Sequence, residues 1–416
     1  MASIKLPQLA WYGTKDMELP LPEGWSTRFY NMAGADRPVM TPQAMKAAIT
    51  NTIGSPPIRE LARGKKEVVI IFDDMTRVTR TYEILPIILE ELAAAGVTDD
   101  RIQLICALGA HMAWDRTLFV KKLGKDIMGR FPVYNHNAFG NCTYVGTTSY
   151  ETPIYVNEEV MRCDLKIGIG AVVPHPNAGF GGGGKIILPG VSSIETITSF
   201  HRVEKQYKEQ HPGRQDIGPG LFDNNPMRLN IAEAAALAGL DIKIDCLLNT
   251  RGETVGIFAG ALEPAYAAAV AEAKQHCLTP RLDGEEIYIA NTFAKANEAL
   301  MVGMRVPFVA SSSNDVDIVL TSNAPDGQVT HYLLGNFGKT VAGEQKLVIK
   351  IPDHVKRLIV YTEYPDLAGQ GYVEKSDRVV YVHKWDDVLD ILKQRHGDTA
   401  RVAVYPCAEI QYSAYE

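Results

Sequence analysis

Apolar and polar positions along this chain alternate with two periods. The short β-branched runs in "EVVIIFDD", "RIQLICALGAH", "DLKIGIGAVVPHP" and "DIKIDC" have the length and flanking breaks of buried strands. Between them, "TYEILPIILEELAAAGV" has helical spacing and stops at Gly96, and "EPAYAAAVAEAKQHC" predicts a second helix. "DIKIDCLLNTRGETVGIFAG" predicts two strands that turn at Arg251–Gly252, a hairpin. The alternation pauses at Pro280 and Gly284. It restarts with "EIYIANTF" and continues through "DVDIVLTSN", "RLIVYTEY", "RVVYVHKWDDVLDILKQ" and "RVAVYPCAEI". Strands alternating with helices predict an α/β fold with largely parallel sheets. The pause predicts two α/β domains, residues 1–277 and 278–416, with the last residues packing back on the first domain. The cleft between the domains is then the expected ligand site.

Composition narrows the class. The 416 residues are 46% hydrophobic and 22% charged, which is globular and long enough for more than one core. A formal net charge of −7 argues against nucleic acid as a partner. No apolar run is long enough to span a bilayer, and "MASIKLPQLAWYG" lacks the apolar stretch of a signal peptide, so a cytoplasmic location without membrane contact is expected. The six cysteines are widely spaced with no C-x-x-C pair, which predicts reduced, buried thiols.

The candidate chemistry concentrates in "VVPHPNAGFGGGGKIILPG". Gly179 to Lys185 fits G-x-x-x-x-G-K, but a P-loop next needs Ser or Thr for Mg²⁺ and then a helix. Here Ile186 follows, and Pro189 opposes a helix interior. Bare amides at Gly182, Gly183 and Gly184 are nonetheless expected to lie against an anion or a flat ligand. The competing reading is a flexible linker, which the apolar flanks oppose. A lysine at 185 suits covalent or electrostatic work.

Of the ten histidines, His111, His136, His175 and His201 sit at ends of apolar segments. Ligands of open α/β sheets bind beyond the carboxyl ends of strands. His111 and His175 each follow a strand, so both are candidates to face one crevice and move protons there. A lone histidine is more often a hydrogen-bonded core or loop residue, and His136 stays open between the two readings. His211, His276, His331, His354, His383 and His396 read as surface. No H-E-x-x-H spacing occurs, so a metal site built wholly from protein ligands is not supported. In "FDDMTR", Asp73, Asp74, Thr76 and Arg77 follow a buried strand. They read either as a solvated turn or as acids for a ribose or metal, with an arginine clamp for a carboxylate.

In chain order, "DDMTR", "ALGAH", "NHNAF", "PHPNAGFGGGGKIILPG" and "SFH" resemble the nickel-dependent lactate racemase family, whose enzymes use a nickel-pincer nucleotide. The resemblance covers most of residues 66–205. It implies that Lys185 bonds covalently to the cofactor and that His201 is the single protein ligand of nickel. Asp74, Thr76, Gly182, Gly183 and Gly184 would lie at the cofactor, and Arg77 and Lys295 at the substrate. His111 and His175 would be the acid–base pair of a hydride-transfer racemase or epimerase. The 2-hydroxy acid and the cofactor maturation enzymes would be its partners. The chain departs from the family at Asn291–Thr292, where a Tyr-Pro pair is expected, at the place of Lys295, and at Asn137, where an acid is expected. These departures leave lactate, a larger 2-hydroxy acid and a sugar acid open as substrates. Two other classes compete: a nucleotide-dependent transferase with a glycine phosphate cradle, which Ile186 opposes, and a non-catalytic hydroxy acid-binding protein. The latter would have no reason to keep Lys185, His201 and two strand-end histidines together.

Overall fold

The computed structural model describes residues 2–282, 284–303, 315–334 and 348–413. They form two compact units. One comprises residues 37–249 and 253–274; the other draws on 1–36, 250–252 and 275–416.

The first unit is built on a six-stranded sheet in the order Thr254–Gly260, Ile242–Leu248, Leu165–Ala171, Val68–Asp73, Ile102–Ala107, Val133–Asn135. All neighbours are parallel except the first two, which are the hairpin expected around Arg251–Gly252. Strand Val68–Asp73 is central. The next two strands in sequence lie on one side of it, and Leu165–Ala171 and Ile242–Leu248 lie on the other. The order therefore reverses between Val68–Asp73 and Leu165–Ala171, and the crevice of such a sheet opens at the carboxyl ends of the strands at that reversal. The runs are apolar throughout because both faces are covered: Val68 to Phe72 and Ile167 to Ile169 are buried without exception. One face packs under Ile186–Leu188, Phe200, Met227 and Ile231. The helix expected from "TYEILPIILEELAAAGV" spans Thr81–Ala94, and Gly96 takes the positive φ that ends it.

The second unit has a fully parallel sheet in the order Val379–Val382, Val355–Tyr361, Val316–Thr321, Ile287–Asn291, Ala400–Tyr405, Trp25–Phe29. The sequence boundary at 277/278 lies close to the chain crossing at 274/275, but residues 1–36 group with this second unit. The cause is strand pairing: Trp25–Phe29 adds to Ala400–Tyr405, and the hairpin Ala2–Gln8/Lys15–Leu21 contributes Ile4, Leu6, Leu19 and Leu21 to the same core. Ala400–Tyr405 is likewise part of this sheet. Five of the six cysteines are buried as expected, while Cys142 is partly exposed.

Three histidines are fixed as structural residues. His136 is 3% exposed; its Nε2 lies 2.8 Å from the Ser192 carbonyl, and its Nδ1 accepts from Asn157 at 3.1 Å. His276 is buried, with its ring pressed against Gly34, and His396 lies 2.9 Å from the buried Asp317 that also takes Arg395. The surface reading of His276 and His396 is thereby corrected: His276 is buried beside Gly34, and a buried carboxylate draws His396 in.

Burial lowers the His136 pKa from 6.5 to about 4. Between those values the unfolded chain binds a proton that the folded chain does not, so stability falls as pH drops through this window. The full cost below pH 4 is about 3 kcal/mol. Urea midpoints at pH 7 and pH 4.5 should therefore differ less in His136→Gln than in the unmodified protein. An equal difference would show that His136 titrates normally.

Candidate active site

The turn after the central strand is held from below. Lys122 has no exposed surface; its Nζ lies 2.6 Å from Asp73 Oδ1 and donates to the carbonyls of Asp74 (3.2 Å) and Arg77 (2.8 Å). Burial raises the Asp73 carboxyl, against the pull of Lys122 and the Thr79 hydroxyl. Within the turn, Thr76 donates to Asp74 Oδ1 through its backbone N–H at 3.0 Å and its hydroxyl at 2.5 Å, and it accepts from Arg77 Nη1 at 2.7 Å. Thr76 thus works inside the turn, setting the acid and the arginine. This excludes the simple solvated-turn reading, because Asp74 and Thr76 are both buried.

Asp74 Oδ2 faces His111 Nδ1 at 2.7 Å. Burial alone would raise the Asp74 pKa, but the charge and hydrogen bond of His111, with Arg77 and Thr76, hold it below the usual carboxylate range. An ionised Asp74 takes the Nδ1 proton, which leaves His111 Nε2 as the basic nitrogen. The loop carrying His111 is tied to the lysine loop by a hydrogen bond from Gly109 N–H to the Gly190 carbonyl at 2.9 Å.

His175 follows the other strand at the reversal, in a two-residue pairing with Gly179. Its Nδ1 accepts from the backbone N–H groups of Asn177 (3.2 Å) and Ala178 (3.1 Å), and its Nε2 lies 3.3 Å from Lys185 Nζ. Lys185 stands on a short 3₁₀ turn, Gly183–Ile186, so the strand-to-helix geometry of a phosphate loop is not present here. His201 lies on helix Ile194–Gln210, capped by Ser193. Its Nδ1 lies 2.7 Å from the Ile197 carbonyl, which takes the proton there and leaves the Nε2 lone pair available. Burial lowers the His201 pKa, with Lys185 a lesser cause, so the ring is held neutral as a metal ligand must be. Among the described residues no three His, Cys, Asp or Glu side chains gather as a metal site. A metal beside His201 would have to bring its other ligands with it.

The glycines serve a purpose the spacing did not indicate. A Cβ on Gly182 would meet Asp245 Oδ1 at 2.6 Å; on Gly183, the Tyr266 ring at 2.5 Å; on Gly184, Ala235 at 2.9 Å. The Gly183 amide is taken by Asp245 Oδ2 at 2.9 Å. The protein itself fills the space beside Gly182, Gly183 and Gly184, and this close approach accounts for all three. Asp245 in turn pairs with Lys243 at 2.6 Å, both without exposed surface. Sequence reasoning missed Lys122, Lys243 and Asp245. Their only signal was a charged residue set within an otherwise apolar strand or helix.

Lys295 belongs to the second unit. It is buried, and its backbone N–H donates to Glu409 Oε1 at 2.8 Å, just ahead of the turn Ala296–Glu298. Asn291 ends strand Ile287–Asn291 and joins it to three other segments: its Nδ2 donates to the carbonyls of Pro7 (3.0 Å) and Pro406 (2.7 Å), and its Oδ1 accepts from Gln8 and from Thr321 (2.5 Å). Asn137 is exposed and closes a turn by accepting from the Phe139 N–H at 3.0 Å.

Two histidines, a lysine and an Asp–Arg turn thus gather at the carboxyl ends of neighbouring parallel strands in an α/β chain. Residues 12–212 match the model of the lactate racemase N-terminal domain. The chain is 29% identical over 270 residues to the lactate racemase of Thermoanaerobacterium thermosaccharolyticum, spanning 64% of this chain and 61%, less than two thirds, of that protein. It is 28% identical over 389 residues to the lactate racemase of Lactiplantibacillus plantarum, spanning 88% of this chain and 89% of that protein. Its fold matches the solved lactate racemase apoprotein from T. thermosaccharolyticum over the whole of both chains, with a TM-score of 0.74 at 21% identity. It also matches a solved protein from Thermotoga maritima over 90% of this chain and 98% of that one, with a TM-score of 0.65 at 20% identity. The chain thus resembles lactate racemases, with the match to the N-terminal domain model confined to residues 12–212.

The glycine geometry makes a position-by-position test. Gly183 has a φ of +54° and no room for a methyl group, whereas the nearest atom to a Cβ on Gly181 is 3.6 Å away. Gly183→Ala should lose about 2–4 kcal/mol from overpacking and backbone strain. Gly181→Ala should stay within about 1 kcal/mol of the parent. Equal urea midpoints for the two variants would refute this account of the run.

Proposed function

We propose that this chain is an isomerase, a racemase or epimerase of a 2-hydroxy acid, with lactate or a larger hydroxy acid as substrate. The observation that carries the reading is the pair of differently held imidazoles at the strand reversal: His111 on Asp74, and His175 beside Lys185. The lactate racemase names of the relatives support the reaction class.

The residues fit a nickel-pincer nucleotide. Lys185 offers an amine for covalent attachment, and His201 offers one neutral imidazole nitrogen. Asp74 and Thr76 would border the nucleotide, and Arg77 would pair with the substrate carboxylate. When bound, such a nucleotide would supply hydride-acceptor chemistry for the substrate α-hydrogen. His111 accepts the hydroxyl proton at Nε2, and Asp74 stabilises the imidazolium that results. His175 would return a proton to the substrate oxygen on the opposite face. For the opposite enantiomer the two histidines exchange roles. Loading of Lys185 would depend on separate maturation enzymes.

Protein from a cofactor-competent host should interconvert the enantiomers of a 2-hydroxy acid and retain an α-deuterium in the product. Deuterium washed out to solvent would mean a carbanion route and overturn the hydride reading. His111→Ala should lose roughly 10²–10⁴-fold in both directions equally, because a catalyst cannot move the equilibrium.

His201→Ala should lose nickel while keeping the modified Lys185. Unchanged metal content would place the ligand elsewhere.

A further inference from the structure

The segment "HMAWDRTLFVKKL" meets the Asp74 turn near both its ends. Lys122, at the close of helix Arg116–Leu123, binds the Asp74 carbonyl. Trp114, two residues ahead of that helix, reaches the carboxylate itself: its indole N–H donates to Asp74 Oδ2 at 3.5 Å. The Trp114 side chain is buried, and a third element sets its place. Asn135, at the carboxyl end of strand Val133–Asn135, accepts from the Trp114 backbone N–H at 3.1 Å and donates to the Trp114 carbonyl at 2.8 Å. Asp115 then caps the helix by accepting from the Leu118 N–H at 2.9 Å. Backbone and cap are both fixed, and they aim the one polar atom of the tryptophan side chain at Asp74.

Asp74 Oδ2 thus meets two groups, the Trp114 indole and His111 Nδ1 at 2.7 Å. Two donors on one oxygen compete. When His111 is neutral, Asp74 keeps its full negative charge and the indole N–H gains most from it. When His111 is protonated, the imidazolium offsets that charge and the indole gains less. The shared donor therefore favours the neutral ring, whereas Asp74 itself favours the charged one.

We propose that Trp114 is a positioning residue for the Asp74–His111 pair: its N–H shares Oδ2, so that Asp74 orients the imidazole without locking a proton on it. This rests on the reading of His111 as an acid–base group, which must both take and release a proton in turnover. The other charged groups at the pair are Arg77, whose charge also draws on Asp74, Lys122, and Asp73, which Lys122 binds. Burial raises the Cys106 thiol on the neighbouring strand far above its ordinary value, so it stays neutral. All of these remain when the indole N–H alone is removed.

The test is the His111 titration in the full-length protein without cofactor, followed by NMR of carbon-labelled imidazole rings and assigned from the signal missing in His111→Gln. Trp114→benzothienylalanine keeps the bicyclic shape and puts sulfur where the N–H was. It should move the His111 midpoint upward by about 0.3 to 1 pH unit, a fraction of what a full hydrogen bond to a charged group would give. Trp114→Phe, which also lacks the N–H, should move it the same way. In an Asp74→Asn background the benzothienyl replacement should leave the midpoint where it is, because the indole acts through the carboxylate. A midpoint unmoved or lowered by the benzothienyl replacement would overturn the proposal, even if Trp114→Phe raised it, since the ring and not its N–H would then matter. An equal shift in the Asp74→Asn background would overturn it as well. None of these readings needs loaded cofactor or racemase activity, so the proposal and the functional reading fail separately.

Discussion

Two lysines with no exposed surface hold the site together. Lys122 reaches from its helix to the end of the central strand, binding Asp73 and the carbonyls of the turn that presents Asp74 and Arg77. Lys243 pairs with Asp245, whose other oxygen takes the Gly183 amide at the base of the lysine loop. Both charge pairs converge on Gly170, where a Cβ would lie 3.3 Å from Lys243 Nζ and 3.6 Å from Asp73 Oδ2. Gly170, in the intervening strand, leaves room between them. Removing one partner of such a pair costs about 3–5 kcal/mol, because a buried charge is left alone. The two loops are thus tied to one buried electrostatic cluster at the carboxyl ends of the inner strands.

That cluster also marks where sequence reading stops. Strands with a continuous apolar run, such as Val68–Asp73 and Leu165–Ala171, were legible because burial on both faces leaves no polar alternation. Helices Thr81–Ala94 and Leu262–His276 were legible from their period, and His111 and His175 from their places after strands. Lys122 was not, since one lysine on an amphipathic helix looks the same whether it reaches water or a buried aspartate. Pairing between distant segments was equally hidden: nothing in "WSTRF" announces Ala400–Tyr405 as its neighbour. The glycine run was legible as unusual, yet its cause lay in Tyr266, Asp245 and Ile231, which no local pattern connects to it.

The second unit illustrates how a departure in sequence becomes structure. Asn291 occupies a strand end where the family resemblance implied a Tyr-Pro pair, and its amide is spent on four hydrogen bonds to three segments of its own unit. A side chain so engaged offers little to a ligand. Its neighbour Thr292 likewise donates to the Thr321 carbonyl at 2.5 Å.

The parallel pairing of Trp25–Phe29 with Ala400–Tyr405 has a consequence for the order of assembly. The first unit is nearly continuous, from residue 37 to residue 274, and can condense while the ribosome is still making the remainder. The second cannot close its sheet until Ala400–Tyr405 has been made. Through most of synthesis, strand Trp25–Phe29 therefore lacks its native neighbour and presents an unpaired edge. Its sequence suits that wait. Arg28 and two hydroxyl residues, Ser26 and Thr27, interrupt an otherwise aromatic segment, and such residues discourage pairing with other chains.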